Sequence, residues 1–195
     1  MDRNSNIAQT LYSPEDLRNR IRQLLNQQNI WTRFLIISKL SGLGDIQVVS
    51  NRLFENAIDI GNLFRSYYGD DIGNEIENML RNYFTLIINL IDVYINTNFN
   101  IPGNVDFTLI NEINSQLYGV AKQISVFLSS INSYWNMNTL ENIFKNNVDF
   151  INNEIYKRKI RQYYADVTLY DYIEYYYLMT ADILWNGFIN QFYKN

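Results

Sequence analysis

The sequence contains no cysteine and no histidine among its 195 residues. The absence of cysteine excludes disulfides, thiolate metal sites and cysteine nucleophiles. The absence of histidine excludes every catalytic triad and metal centre that needs an imidazole. The missing cysteines do not indicate a compartment, because a cysteine-free protein is compatible with reducing and oxidising surroundings alike.

The chain also lacks concentrated positive charge and a long uninterrupted apolar run. Its 16 Lys and Arg residues are scattered and the net charge is −4, which argues against a general nucleic-acid binder. The one basic cluster, YKRKIR at 156–161, is interpreted as a solvated turn between helices. The most apolar run, YFTLIINLIDVYI at 83–95, is interrupted by Asn89 and Asp92 and is shorter than the roughly 20 residues of a membrane helix. We therefore expect neither nucleic acid nor membrane as a partner.

The composition favours one folded domain with a large core. Apolar residues make up 47% of the chain and aromatic residues 15%, too many for a disordered protein. We expect a flexible segment at 1–12 and a single helical domain at 13–195. The first residues have no signal-peptide pattern, so we expect an intracellular soluble protein. Abundant Asn, Ile and Tyr have AT-rich codons, which indicates a low-GC bacterium or a large DNA virus, with the bacterial cytoplasm, host cell or virion as the location.

Glycine and proline are scarce, at eight and two residues, and they mark the ends of helices. Ser13 followed by Pro14 predicts a helix start, and SGLGD at 41–45 predicts its end. Asn56 is predicted to cap a new helix, and Asn138 with Glu141 has the form of a capping box. The predicted helices span about 14–40, 45–55, 56–69, 70–97 and 161–192, with two more at 106 to 130 and 138 to 152.

No segment alternates in the manner of a strand. The predicted fold class is therefore all-α, a bundle of about four long helices with shorter helices between them.

Four helices each carry one hydrogen-bonding residue on the apolar face. These residues are Gln28, Tyr83, Asn147 and Tyr176. A buried amide or phenol without a partner costs about 1–3 kcal/mol, so the four are expected to meet in a polar cluster inside the bundle. The alternative is that the two tyrosines are ordinary amphipathic core residues and that Gln28 faces solvent.

Two further groups of residues are candidates for structural or interface roles. Arg33 is expected to pair with an inward-facing acid such as Asp59 or Asp182, because a buried guanidinium must be satisfied. The stretch YDYIEYYYLM at 170–179 has tyrosines on several sides of one helix. That pattern indicates either a helix at the centre of the fold or a surface for self-association. In the second case we expect a homodimer formed through Tyr172, Tyr175 and Tyr177.

Several stretches resemble a family of small helical proteins from spore-forming low-GC bacteria, often labelled acetylglutamate kinase. The matching stretches, in collinear order over most of the chain, are WTRFLIIS (31–38), NRLFENAIDIGNLFRSYYGDDIG (51–73), FLSSINSYW (127–135) and ADVTLYDYIE with ADILWNGFINQF (165–192). In that family His occupies the positions of the four polar-cluster residues, which implies a metal or cofactor site within the bundle. Here all four imidazoles are replaced, so we expect no metal and no cofactor.

The kinase label implied by the resemblance is rejected for this chain. Phosphoryl transfer needs a glycine-rich phosphate cradle with positioned lysine and carboxylates, and SGLGD at 41–45 has neither a preceding strand nor a lysine. The acids Asp171, Glu174 and Asp182 offer a hard-cation site as an alternative, although solvated helix acids explain them better.

Two functions follow as expectations. The first is a non-catalytic helical protein that acts through binding or assembly with an unknown partner. The second is a bundle enzyme or sensor that holds a small ligand or hard cation in the polar cluster.

Overall fold

A computed structural model of the protein describes residues 12–99 and 107–194. Within these ranges the chain forms six helices and no strand, so the all-α fold is confirmed. The helices are α1 (Pro14–Ser41), α2 (Ile46–Tyr68), α3 (Asp70–Asn96), α4 (Thr108–Ile131), α5 (Met137–Lys159) and α6 (Tyr163–Phe192). They have similar lengths of 23 to 30 residues, rather than the predicted mixture of long and short helices.

The six helices form a closed ring. Each helix packs against the next one along the chain, and α6 packs against α1. Contacts between α3 and α5 and between α1 and α3 cross the interior. Four of the five connections have five residues or fewer, and a helix that ends in a tight turn leaves the next helix beside it.

The helix ends follow the expected chemistry at α1. The Ser13 hydroxyl accepts a hydrogen bond from the Asp16 backbone N–H at 3.1 Å. At the other end Gly42 takes the left-handed conformation, with φ of 64°, and its N–H returns to the last turn.

Two predicted helix starts are wrong. Asn56 lies in the middle of α2 and is fully buried, and its side-chain amide donates to the Leu24 carbonyl of α1 at 3.1 Å. An amide that could have capped a helix is used instead to join two helices. The cap of α5 is Asn136, whose side chain accepts from the Thr139 N–H at 3.0 Å, so α5 begins before the expected box at Asn138.

Some expectations fall on residues whose structure is not described. The proposed flexible segment 1–12 lies outside the described residues apart from Tyr12, and so does the predicted helix start at Asp106. No helix in the described ranges is both long and apolar enough to cross a membrane.

The core has two parts that meet near the middle of the ring. One part is mainly aliphatic and centres on α3. The other part contains an aromatic group, comprising Phe64, Tyr67, Tyr68, Trp135, Phe188 and Phe192. Trp135 is anchored there, because its indole N–H donates to the Leu184 carbonyl at 3.2 Å while its ring lies against Gly187.

Candidate functional site

A cavity of about 70 Å³ lies at the centre of the ring, and residues from all six helices line it. Most of the lining residues are buried, and the remaining four, Leu25, Leu80, Ile124 and Phe144, are partly buried. The wall is mostly Leu, Ile and Phe, and its polar members are Gln28, Tyr83, Asn147, Tyr177 and Thr180. The volume corresponds to about two molecules of liquid water, so the cavity is large enough for a few non-hydrogen atoms.

The structure places three of the four predicted cluster residues on this cavity. Gln28, Tyr83 and Asn147 line it, and each is at least nine-tenths buried. Tyr176 does not line it, because its hydroxyl accepts a hydrogen bond from the exposed Asn146 amide at 2.9 Å. The α6 tyrosine on the cavity is the next residue, Tyr177, which is 2% exposed.

The polar atoms around the cavity are incompletely satisfied. The Tyr177 hydroxyl and Asn147 Oδ1 are buried and have no partner at ordinary hydrogen-bond geometry, although the Asn147 and Gln28 amides lie close enough to the phenol oxygen to influence its pKa. The Thr180 hydroxyl is already used, since it donates to the Tyr176 carbonyl at 2.8 Å. The cavity therefore offers a free phenolic donor beside a free amide acceptor.

Both phenols on the cavity are neutral at physiological pH. Burial raises the pKa of Tyr83 well above its ordinary value, and the neighbouring Tyr177 adds to this shift. Burial also raises the pKa of Tyr177, with a smaller contribution from the negative charge of Glu154, while the nearby Asn147 and Gln28 amides oppose the rise. Neither tyrosine can serve as a base, and each can donate a hydrogen bond.

A buried ion-pair cluster lies next to the cavity between α1, α5 and α6. The Arg33 guanidinium contacts Glu154 Oε1 and binds both Asp166 oxygens, at 3.1 and 3.2 Å. Arg158 donates to the same Asp166 at 2.8 Å, and the Tyr170 ring lies 4.3 Å from the Arg33 guanidinium carbon. The pairing of Arg33 is therefore structural, as a buried guanidinium requires.

The predicted partners of Arg33 were wrong. Asp182 binds Arg18 and Arg22 instead, at 2.6 to 3.0 Å, and their hydrogen bonds, that from Arg22 most of all, lower the pKa of Asp182 to about 2. Asp59 lies 3.6 Å from Arg52 on the neighbouring surface. The actual partners come from α5 and α6, and only the closure of the ring brings these helices to α1.

The Glu154 carboxyl is almost completely buried beside the Arg33 guanidinium. It is 2% exposed, and this desolvation raises its pKa to about 7, although Arg33 opposes the shift. Asp166, which shares the Arg33 guanidinium, adds to the rise because it is negative. The cluster therefore gains and loses a proton near neutral pH.

The predicted interface tyrosines divide between surface and core. Tyr172 and Tyr175 are 66% and 70% exposed, as an interface requires. Tyr177 points into the cavity and cannot contribute to an interface between folded molecules.

Two acids and one tyrosine were missed from the sequence, although a signal for each was present. Glu154 continues the face of α5 that carries Asn147 and Ile151. Asp166 and Tyr177 lie on the α6 face defined by Ile173, Thr180 and Leu184. A charged or polar residue that continues the apolar face of a helix is expected to be buried, and a buried polar group needs a hydrogen-bond or charge partner.

Comparison with protein-family models finds no match, and comparisons with curated proteins and with solved structures find none either. The resemblance to the bacterial helical family therefore stays a prediction. Among residues 12–99 and 107–194, no three acidic side chains come together in a group that could hold a metal ion.

Proposed function

We propose that the protein is a non-catalytic helical bundle that binds a small uncharged organic molecule in its central cavity. The proposal depends on the unpaired Tyr177 hydroxyl and Asn147 Oδ1 at the cavity wall. A buried polar group left unsatisfied costs about 1–3 kcal/mol, and an apolar side chain of similar shape would avoid that cost. Two such groups on one cavity are typical of a site that is completed by a ligand.

The charge around the cavity favours a neutral ligand. No charged side chain lines the cavity, and the nearest acid, Glu154, is paired with Arg33. A charged ligand would lose its hydration without gaining a counter-ion, which costs far more than burial of a neutral group. The same wall lacks a nucleophile or general base, because its phenols are held neutral, and this supports binding without transformation.

Fragment binding followed by two-dimensional NMR tests the proposal. Neutral fragments of up to about four non-hydrogen atoms are titrated into the wild-type protein, Tyr177→Phe and Tyr176→Phe. We expect chemical-shift changes at cavity residues that weaken in Tyr177→Phe and persist in Tyr176→Phe, whose hydroxyl lies outside the cavity. Shifts confined to surface residues, or no binding by any fragment, would contradict the proposal.

A second candidate function is self-association through α6. The outer side of this helix carries Tyr164, Tyr172 and Tyr175, which are 89%, 66% and 70% exposed. Tyrosine is favoured at protein interfaces, so we propose that two copies pair through this surface. Sedimentation at micromolar concentration should show a dimer that dissociates in the double variant Tyr172→Glu, Tyr175→Glu. A monomer at every concentration would exclude this function.

A further inference from the structure

A second, smaller cavity adjoins the central one. It has a volume of about 10 Å³ and lies between α1, α2 and α6. Its wall is entirely apolar, and four residues form part of both walls, namely Leu25, Ile60, Phe64 and Leu184. The smaller cavity continues from these residues towards Leu63 and Phe188, away from the polar groups.

The central cavity therefore has a polar side, at Tyr177 and Asn147, and an apolar side, at the residues that it shares with the smaller cavity. Resting on the ligand site proposed above, we propose that the ligand is an uncharged aliphatic alcohol. Its hydroxyl group contacts Tyr177 and Asn147, and its short unbranched chain lies against the apolar side and points towards the smaller cavity.

The head group follows from the two free polar atoms. One hydroxyl can accept a hydrogen bond from Tyr177 and donate its own hydrogen to Asn147 Oδ1, which satisfies both atoms. A carboxylate can only accept and would place a second negative charge near Glu154, whereas an ammonium group can only donate. An alkane would leave both protein atoms unpaired.

The chain follows from the apolar wall. Each methylene that moves from water onto the apolar side of the central cavity should strengthen binding about three- to fourfold. This increase should stop after about two to three carbons, because a cavity of about 70 Å³ is then full and further carbons must displace packed side chains. The chain length at which the affinity stops rising therefore shows how far the alkyl chain extends along the apolar side of the cavity.

The test measures binding of 1-alkanols from ethanol to 1-octanol by NMR, beside alkanoates and alkylammonium ions of equal length. Xenon serves as an apolar probe of the cavity itself. We expect the alcohols to bind best, with a maximum at about two to three carbons. Tyr177→Phe should weaken the alcohols about tenfold and leave xenon unchanged, whereas Tyr176→Phe should affect neither.

The apolar side is tested by enlarging it. Leu63→Ala, with Leu63→Val as the milder variant, should move the preferred alcohol to a longer chain. Leu53→Ala removes a buried leucine from the same helix outside both cavities and should leave the preferred length unchanged.

The outcomes separate this inference from the proposed function. If xenon and neutral fragments bind but alcohols gain nothing over charged analogues, the alcohol assignment is wrong and the ligand site stands. An affinity that does not respond to Leu63 variants would also overturn the assignment. If neither xenon nor any neutral probe binds, both the assignment and the proposed function are wrong.

Discussion

Tyr176 and Tyr177 are consecutive residues of the same type with opposite surroundings. The first hydroxyl bonds to an exposed amide, and the second is buried at the cavity without a partner. Because the two side chains are chemically identical, a comparison of their phenylalanine variants isolates the effect of position.

We expect Tyr177→Phe to raise the free energy of unfolding by about 1 kcal/mol in ligand-free protein, because it removes an unsatisfied buried hydroxyl. Urea denaturation followed by circular dichroism measures the change. Tyr176→Phe should lower the same quantity by at most about 0.5 kcal/mol, as its hydrogen bond is exposed. A residue whose replacement increases stability but weakens binding is typical of a functional site. Destabilisation by Tyr177→Phe would mean that its hydroxyl is bonded within the protein.

Glu154 should make stability depend on pH near neutrality. Its pKa rises from 4.5 to about 7 on folding, so the folded state binds this proton more tightly than the unfolded chain. The associated stability is complete below about pH 4.5 and is lost as the pH rises through about 7. We expect the free energy of unfolding to fall by on the order of 2–3 kcal/mol between about pH 5 and pH 8.

The absence of histidine makes this measurement unusually clear, because the ordinary pKa of histidine would fall within the same range. In Glu154→Gln the slope between about pH 5.5 and 8 should disappear. Glu174→Gln, which changes an exposed acid of α6, should keep the wild-type slope. An unchanged slope in Glu154→Gln would assign the titration to another group.

At the scale of the helix, α6 shows where the sequence pattern becomes ambiguous. Ile173 and Thr180 belong to two overlapping stripes, one continuing through Tyr176 and the other through Tyr177. Aromatic residues nearly surround the helix, so periodicity does not distinguish these stripes. The structure selects the second, because Leu184 and Phe188 lie in the core along with Tyr177.

The all-α class and the positions of Gln28, Tyr83 and Asn147 could be predicted, because strong apolar periodicity and helix-end chemistry specify them. The partners of Arg33 could not be predicted. Glu154 and Asp166 reach it from helices more than a hundred residues away along the chain, and only the packing order of the ring determines that meeting. The helix start predicted at Asn56 was wrong for a similar reason. Its amide donates to the Leu24 carbonyl of α1, a contact between helices that the sequence pattern does not show.

The contact between α6 and the α4–α5 connection depends on one glycine. A Cβ atom at Gly187 would lie 1.9 Å from Trp135 Nε1, far inside the contact distance. We therefore expect Gly187→Ala to lower the free energy of unfolding by about 3 kcal/mol, the upper end of the usual cost of overpacking, measured by thermal and urea denaturation.

Gly119→Ala is the matched control, because a Cβ at this exposed position within α4 would contact nothing within 4 Å. It should raise stability by about 0.5–1 kcal/mol, since alanine restricts the unfolded chain and favours helix. The combination of Gly187→Ala with Trp135→Phe should cost less than the sum of the two single changes. Simple additivity would show that the clash is relieved elsewhere.

For the whole molecule, the closure of α6 onto α1 completes the ring. Arg18 and Arg22 of α1 both bind Asp182 of α6 through paired hydrogen bonds. Both guanidinium groups are partly exposed, so solvent and salt weaken the interaction.

We expect Asp182→Asn to lower the free energy of unfolding by about 1 kcal/mol at neutral pH and low salt, and by less at high salt. The pKa of this carboxyl falls from 3.8 to about 2 on folding, so its contribution is present above about pH 4 and is lost as the pH falls through about 2. Denaturation of Asp171→Asn, an exposed acid on the same helix, should show little change. Equal effects of the two substitutions would contradict a role in ring closure.

Two hydrogen bonds at that closure bring distant parts of the chain side by side. The Tyr193 hydroxyl donates to the Tyr12 carbonyl at 2.8 Å, and the Trp185 indole donates to the Pro14 carbonyl at the same distance. A short peptide could therefore splice residue 193 to residue 12, while the backbone is opened at the exposed turn near Gly44. The resulting circular permutant would start at α2 and finish with α1, and it should reproduce the native circular-dichroism spectrum and cooperative melting.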